Sequence, residues 1–206
     1  MHRRVRGARE TPLFSALIEA SAPAGIALVE RDGDVRLYRG WLAPARADAL
    51  FASLRAATAW VQERRKMYDR IVDVPRQQAW FGDDRERPFT PELAALRRDV
   101  EVTAGVRFSH VLLNRYRDGS DSVAWHHDRE VEGMRRPVIA SLTLGVTRAF
   151  DLRPKNARSR VISVDLDHGD LLIMAGDTQS FWEHRVAKDR RVAGERINLT
   201  FRQQPG

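Results

Sequence analysis

The chain has 206 residues, of which 43% are hydrophobic, enough for one domain with a sizeable core. It contains no cysteine, which excludes a disulfide framework and a zinc–thiolate site and fits a reducing, cytoplasmic compartment. The formal net charge of +7 indicates a polyanionic partner such as nucleic acid, although this charge is also compatible with simple solubility.

The N-terminal third combines a basic tail with a helix and strand pattern. Residues 1–10 carry four arginines and predict a flexible tail, and residues 11–206 predict a single domain, which we expect to be monomeric. Residues 12–20 predict a short helix, and residues 26–30 and 35–38 predict a hairpin around Asp32-Gly33-Asp34. Residues 44–55 predict a helix with Pro44 in its first turn, and residues 60–73 predict a charged strand region.

Two adjacent aromatic residues, Trp80 and Phe81, follow Arg76 and Gln78. Bases taken out of a stack are held between aromatic faces and read by amide groups, so this pattern is typical of a nucleobase-binding lip. The alternative is that both aromatic side chains are hydrophobic plugs under a loop.

The central part predicts a helix over residues 91–102 and a strand over residues 108–116, on which Leu112, Asn114 and Tyr116 face one way. Further strands are predicted over residues 137–146, 148–152, 160–166 and 170–174.

His126 and Asp128 are separated by one residue, so in an extended segment both side chains point to the same face. An imidazole and a carboxylate are two members of the 2-His-1-carboxylate triad that holds non-haem Fe(II), and His184 is the best candidate for the third. The alternative is an ordinary His-x-Asp tripeptide, which is common without a metal. His127, between the two, is predicted to point away from them.

The run Arg196 to Arg202 alternates with period two, which places Arg, Asn, Thr and Arg on one face and Ile, Leu and Phe on the other. If the polar face points inward, its two guanidinium groups need an anion, and a dicarboxylate would supply one. The alternative is a polar face exposed to solvent.

Together these motifs resemble the AlkB family of 2-oxoglutarate- and Fe(II)-dependent dioxygenases, especially its branch that repairs alkylated bases. In one departure from the pattern, Arg129 stands where that branch often has an acidic residue. The matching motifs occur in the family's order and spacing, and they are Pro75-Arg76 through Trp80-Phe81-Gly82-Asp83, Asn114-x-Tyr116 with Asp118-Gly119, Trp125-His126-x-Asp128-x-Glu130, Ser141-Leu142-Thr143-Leu144-Gly145 with Arg148 and Phe150, Trp182-x-His184, and Arg196-x-Asn198-x-Thr200-x-Arg202.

The resemblance implies a mostly β fold with flanking helices, a double-stranded β-helix or jelly roll, and a nucleotide-recognition lid over about residues 60–90. It implies that Fe(II) is bound by the catalytic triad His126, Asp128 and His184. It also implies two further sets of residues: 2-oxoglutarate is held by Asn114, Tyr116, Arg196, Asn198, Thr200 and Arg202, and the substrate is contacted by Arg76, Gln78, Trp80, Phe81 and Glu130.

The implied activity is oxidative dealkylation of N-alkylated nucleobases, such as 1-methyladenine and 3-methylcytosine, in DNA or RNA. It is coupled to conversion of 2-oxoglutarate and O₂ into succinate and CO₂, with release of an aldehyde. Two alternatives remain open: a related dioxygenase acting on a substrate other than nucleic acid, and a catalytically silent nucleic-acid binder. The arginine-rich stretches 3–9, 64–66, 153–160 and 185–191 are predicted to contact phosphates at the rim.

Overall fold

A computed structural model describes residues 25–203, apart from Tyr68, Asp84 and Glu132 and apart from the side chains of Arg65, Met67 and Glu130. The predicted tail over residues 1–10 and the predicted helix over residues 12–20 lie outside the described residues. Among the described helices, none has the length and apolar character needed to cross a membrane.

Two antiparallel sheets form the body of the fold. The larger sheet contains, in spatial order, β1 (Ile26–Val29), β2 (Asp34–Tyr38), β11 (Leu171–Ala175), β8 (Ile139–Gly145), β13 (Arg196–Arg202), β6 (His110–Tyr116) and β5 (Gln77–Gly82). The smaller sheet contains β10 (Ile162–Leu166), β9 (Arg148–Pro154), β12 (Trp182–Val186) and β7 (Val123–His126). A separate hairpin pairs β3 (Arg64–Met67) with β4 (Arg70–Asp73). This is the predicted mostly β jelly-roll architecture.

The helices flank the larger sheet. They are α1 (Pro44–Ala57), α2 (Pro91–Ala104) and the one-turn α3 (Thr178–Phe181), together with a 3₁₀ turn over Arg129–Val131. Leu50 and Leu54 of α1 and Leu93 and Leu96 of α2 belong to one core cluster with Phe201 of β13. A second cluster fills the space between the two sheets, and it includes Leu37, Ile139, Phe150, Leu152, Leu172 and Val186. The predicted hairpin at residues 26–38 and the predicted helices beginning at residues 44 and 91 are therefore confirmed.

Strand β13 lies between β8 and β6, and all seven of its residues are buried. Its apolar residues Ile197, Leu199 and Phe201 pack in the cluster beneath the helices. Because side chains alternate along a strand, the polar residues face the space between the sheets. The polar face therefore points inward, and the alternative of a solvent-exposed polar face is wrong.

Candidate active site

Two histidines are brought together by strand pairing. His126 on β7 is the register partner of His184 on β12, and their ring centroids are 4.3 Å apart. Asp128 follows closely, with its Oδ1 3.8 Å from His126 Nε2. One potential ligand atom from each of these three residues lies within 4.8 Å of the other two. Two imidazoles and one carboxylate at this spacing are a donor set for a divalent metal with open coordination positions, as in non-haem iron oxygenases.

The backbone between the ligands is not fully extended. Strand β7 ends at His126, and the 3₁₀ turn begins at Arg129. His127, between these two elements, is among the residues that line the cavity, and it is not part of the potential ligand set found among the described residues. His126 Nδ1 lies 2.8 Å from the carbonyl oxygen of Ala124, so that donation from Nδ1 leaves Nε2 as the free acceptor nitrogen.

The charges of the triad suit metal binding. Asp128 is 4% exposed, and its Oδ1 accepts a hydrogen bond of 2.9 Å from Arg202 Nη2. Burial would raise the pKa of Asp128, but the positive charge of Arg202, with smaller contributions from His184 and His126, holds it at about 2. Burial, and then the neighbouring His126, lower the pKa of His184 to about 3. The carboxylate is therefore ionised and the imidazole neutral near neutral pH, which are the forms that bind a metal.

Two arginines of β13 and the carboxylate of Asp128 carry buried polar atoms without partners among the described residues. Arg196 is fully buried, and its Nη2 donates to Thr143 Oγ1 at 2.9 Å and to Asn198 Oδ1 at 3.0 Å. Its Nε and Nη1, the Nε and Nη1 of Arg202 and the Oδ2 of Asp128 have no hydrogen-bond partner among the described residues. Such groups are costly to bury unpaired. The donors therefore fit an anionic ligand, and the carboxylate oxygen fits a cation.

Arg196 makes no ion pair with any described residue, although it is the largest fully buried side chain. Its guanidinium carbon lies 5.2 Å from the centre of the Tyr116 ring. Burial lowers the pKa of Arg196 to about 10, an effect that Tyr116 partly opposes, so the side chain remains charged near neutral pH. A buried guanidinium with two free donors is suited to bidentate binding of a carboxylate.

The orientation of the Asn114 amide is fixed by two donors. Arg76 Nε and Gln78 Nε2 each donate to Asn114 Oδ1 at 2.8 Å. Because arginine can only donate, the atom that it contacts must be the amide oxygen. The amide nitrogen of Asn114 therefore remains available as a donor, and the oxygen of Gln78, which has no partner among the described residues, remains available as an acceptor.

A cavity of about 780 Å³ is lined by the triad together with Arg202, Asn114 and Gln78. Thr200 and Arg202 of β13 line it together with Asp128 and His184. Arg196, the first residue of β13, is fully buried and is not among the residues that line the cavity. Of the residues predicted for the site, the lining includes His126, Asp128, His184, Asn114, Tyr116, Asn198, Thr200, Arg202, Arg76, Gln78 and Trp80.

Phe81 is not at the cavity, and its prediction as a substrate contact is corrected. It is 9% exposed and packs in the core cluster beneath the helices. Trp80 and Phe81 are neighbours on β5, so their side chains point to opposite faces of the sheet, and only Trp80 lines the cavity. The side chain of Glu130 lies outside the described part, so its predicted contact with the base stays a prediction.

Two buried residues have structural roles that the sequence pattern did not indicate. Arg148 donates to the backbone carbonyls of Asp118, Asp121 and Ala187. Gln179 on α3 accepts a hydrogen bond of 2.9 Å from the backbone N–H of Asp128. Both contacts join segments distant in sequence, and an alternating pattern carries no signal for them.

Comparison with known proteins agrees with this geometry. The family model described as the 2OG-Fe(II) oxygenase superfamily matches residues 34–202. The chain is 36% identical to human alpha-ketoglutarate-dependent dioxygenase alkB homolog 3 over 189 residues, which covers 82% of this chain and 65% of that protein. It is 32% identical to human DNA oxidative demethylase ALKBH2 over 179 residues, covering 77% of this chain and 69% of that protein.

The chain spans 63 to 65% of the length of the mammalian alkB homolog 3 proteins that it matches. The solved structure of OsALKBH1 has a TM-score of 0.61 at 18% identity, covering 82% of this chain and 97% of that one, which supports the fold. The extent of the family match, together with the identity to the AlkB homologues, shows that the chain belongs to the 2OG-Fe(II) oxygenase superfamily and, within it, to the AlkB family.

Proposed function

We propose that this chain is an Fe(II)- and 2-oxoglutarate-dependent dioxygenase that removes alkyl groups from N-alkylated nucleobases in DNA or RNA. The observation that carries the proposal is the convergence of His126, Asp128 and His184 in one cavity that Arg202 also lines, on the strand that carries the unpaired donors of Arg196 and Arg202. When bound, Fe(II) and 2-oxoglutarate would supply O₂-dependent oxidation of the N-alkyl carbon, with succinate and CO₂ formed and an aldehyde released.

The metal would be held by His126, Asp128 and His184. Arg202 fixes Oδ1 of Asp128 and leaves Oδ2 free, so the carboxylate presents one oxygen in a defined direction. Because the carboxylate and the neutral imidazole of His184 need no proton loss near neutral pH, the triad is preorganised for a divalent cation.

The co-substrate would lie along the polar face of β13. Arg196, at the buried start of the strand, offers two free donors for the carboxylate remote from the metal. Asn198 and Thr200 line the cavity between Arg196 and Arg202, and Asn114 adds an amide donor from β6. A row of donors flanked by two guanidinium groups matches a short dicarboxylate, because arginine binds carboxylates through paired hydrogen bonds.

The substrate base would enter beside Trp80, whose ring lines the cavity on the edge strand β5. Gln78 lies two residues away on the same face, and its buried Oε1 has no partner among the described residues. A free acceptor repels the co-substrate carboxylate but suits an exocyclic amino group, which 1-methyladenine and 3-methylcytosine both carry. The relatives named DNA oxidative demethylase support nucleic acid as the substrate class.

Several of the arginines predicted to contact phosphates are already paired. Arg153 forms an ion pair with Glu183, and Arg185 forms one with Asp151. Because these charges are balanced locally, we expect them to contribute less to phosphate binding than the sequence suggested. Arg129, which is exposed and lines the cavity, is a better candidate for a contact beside the bound base.

The test is to incubate the iron-loaded protein with 2-oxoglutarate, O₂ and methylated oligonucleotides, and to follow methyl loss by mass. We expect methyl loss from 1-methyladenine and 3-methylcytosine and none in the His126→Ala variant. Succinate formation without methyl loss from any oligonucleotide would point to another substrate. Oligonucleotide binding without succinate formation would identify a silent binder instead.

The same panel tests the role of the Gln78 oxygen. Gln78→Leu should reduce the preference for amino-bearing lesions over 1-methylguanine and 3-methylthymine, which carry a carbonyl at the corresponding position. Gln77→Leu is the matched control, because Gln77 is the neighbouring residue and its Oε1 accepts from Arg115 outside the cavity lining. An unchanged lesion preference in Gln78→Leu would show that the base is read elsewhere.

A further inference from the structure

Gln179 is a buried amide in direct contact with the backbone of a triad residue. It is 7% exposed and lies on the one-turn helix α3, which leads directly into β12 and His184. Its Oε1 accepts the 2.9 Å hydrogen bond from the backbone N–H of Asp128, across a sequence separation of 51 residues. Its Nε2 reaches only the sulfur of Met174, at 3.8 Å, which is a weak acceptor. The contact with Asp128 is therefore the main polar interaction of this side chain.

The backbone N–H of Asp128 lies where regular structure ends. The pairing of β7 with β12 is in register at His126 and His184, and β7 ends there. The next regular element, the 3₁₀ turn, begins at Arg129. The amide of Gln179 thus replaces the strand partner that the N–H of Asp128 lacks. A buried N–H without this acceptor would be costly, so the side chain fixes the position of the backbone.

Asp128 is consequently held at two separate points. Gln179 holds its backbone N–H, and Arg202 holds its carboxylate through Oδ1. The remaining oxygen, Oδ2, has no partner among the described residues. With both the backbone and one carboxylate oxygen fixed, the direction of Oδ2 is set by the protein before any ligand binds. Groups that orient metal ligands in this way tune metal affinity.

The helix α3 does not depend on the Gln179 side chain for its own position. The carbonyl oxygen of Gln179 accepts from Lys155 Nζ at 3.0 Å, and the carbonyl of Phe181 accepts from the Lys155 N–H at 2.8 Å. Thr178 Oγ1 accepts from the backbone N–H of Asp34 at 3.0 Å. Shortening Gln179 would therefore leave α3 anchored and remove only the contact with Asp128.

We propose that Gln179 is a positioning residue of the metal site, which acts through the backbone of Asp128 and raises metal affinity by fixing the direction of Asp128 Oδ2. The proposal rests on metal binding by the triad, as in the proposed function, and is independent of the nature of the organic substrate. It also links two ligands mechanically, because the same short segment carries Gln179 and continues into the strand of His184.

The test compares Gln179→Leu, which lacks the acceptor, with Gln179→Glu, which keeps an oxygen at the same reach. Co(II) is titrated into each metal-free protein under anaerobic conditions, and its visible absorption reports both affinity and ligand geometry. We expect Gln179→Leu to bind Co(II) about 10- to 100-fold more weakly with an altered spectrum, which is the range for loss of such partners. Gln179→Glu should retain most of the affinity and the wild-type spectrum.

Thr178→Val is the matched control, because it disturbs the same turn through Asp34 and leaves the acceptor for Asp128 in place. It should lower thermal stability without changing the Co(II) spectrum. Wild-type affinity and spectrum in Gln179→Leu would overturn this inference alone, as would an equal weakening in Gln179→Leu and Thr178→Val. If the wild-type protein binds no Co(II), the metal site in the proposed function is wrong, and this inference fails with it.

Discussion

Replacing Arg196 with methionine should separate co-substrate binding from fold stability. The guanidinium is fully buried, makes no ion pair with the described residues, and has two donor nitrogens without partners. Methionine fills a similar volume without a charge. The metal-free, ligand-free variant should therefore be as stable as the wild type or more stable, because an unpaired buried charge is removed.

The same change should greatly weaken binding of 2-oxoglutarate. Loss of a desolvated, charge-assisted pair costs about 2–5 kcal/mol, which is roughly 30-fold to several thousand-fold in Kd. At 2-oxoglutarate equal to about 100 times the wild-type Kd, the ligand should stabilise the wild type by about 2.7 kcal/mol, and Arg196→Met by less than about 0.9 kcal/mol. For a chain of this size the rise in Tm should be about 5–11 °C in the wild type and below about 4 °C in the variant.

The assay is thermal unfolding of the Co(II)-loaded protein, in which no oxidation takes place, with and without 2-oxoglutarate. Arg148→Met is the control, because Arg148 is another buried arginine whose donors go to the carbonyls of Asp118, Asp121 and Ala187. It should lower Tm but keep the full rise on adding 2-oxoglutarate. An undiminished rise in Arg196→Met would refute the assignment of Arg196 as the carboxylate clamp and move that role to another donor.

Three further predictions concern the triad, the cavity wall and pH. His126→Ala, Asp128→Ala and His184→Ala should each abolish 2-oxoglutarate turnover, measured as succinate, and normal turnover in any of them would exclude that residue as a ligand. Trp80→Ala should weaken binding of a methylated oligonucleotide by roughly 1–3 kcal/mol, seen in a fluorescence titration, without changing its salt dependence. Phe81→Ala should instead lower the free energy of unfolding by about 3–5 kcal/mol in denaturant titrations. Weakened oligonucleotide binding with unchanged stability in this variant would show that Phe81 contacts the base. The lowered pKa of His184 means that the unfolded chain takes up a proton below the ordinary value of 6.5 while the folded metal-free chain does not until about pH 3. The free energy of unfolding is therefore not reduced by His184 above pH 6.5. Below that pH it falls on acidification by up to about 1.4 kcal/mol per pH unit, and His184→Ala should remove this dependence.

The alternating pattern in the sequence predicted the two faces of β13 but left open whether the polar face points inward, which the structure decides. Period-two alternation assigns faces within a strand, and the charge of Arg196 and Arg202 requires a buried anion once that face is inside. Applied strictly, the same rule also places the side chains of Trp80 and Phe81 on opposite faces of β5. The prediction that both aromatics form a lip failed because it treated adjacent residues as one surface.

The contacts that hold the site together could not be predicted in this way. Gln179 reaches the backbone of Asp128, and Arg148 reaches three backbone carbonyls, so neither contact has a side-chain partner that a sequence pattern could reveal. The end of β7 at His126 likewise depends on tertiary pairing with β12. The candidate ligands were thus proposed from residue type and spacing together with the family resemblance, whereas the contacts that support them depend on the folded backbone.

The most direct test of the account is the stoichiometry of a single reaction. The iron-loaded protein is mixed with 2-oxoglutarate and an oligonucleotide that carries one 1-methyladenine, and succinate, formaldehyde and demethylated oligonucleotide are measured in the same samples over time. We expect the three products to appear together in equal amounts, and all three to be absent with Asp128→Ala. Succinate that accumulates without formaldehyde and without demethylated oligonucleotide would contradict the proposal that an N-alkylated base is oxidised in this cavity.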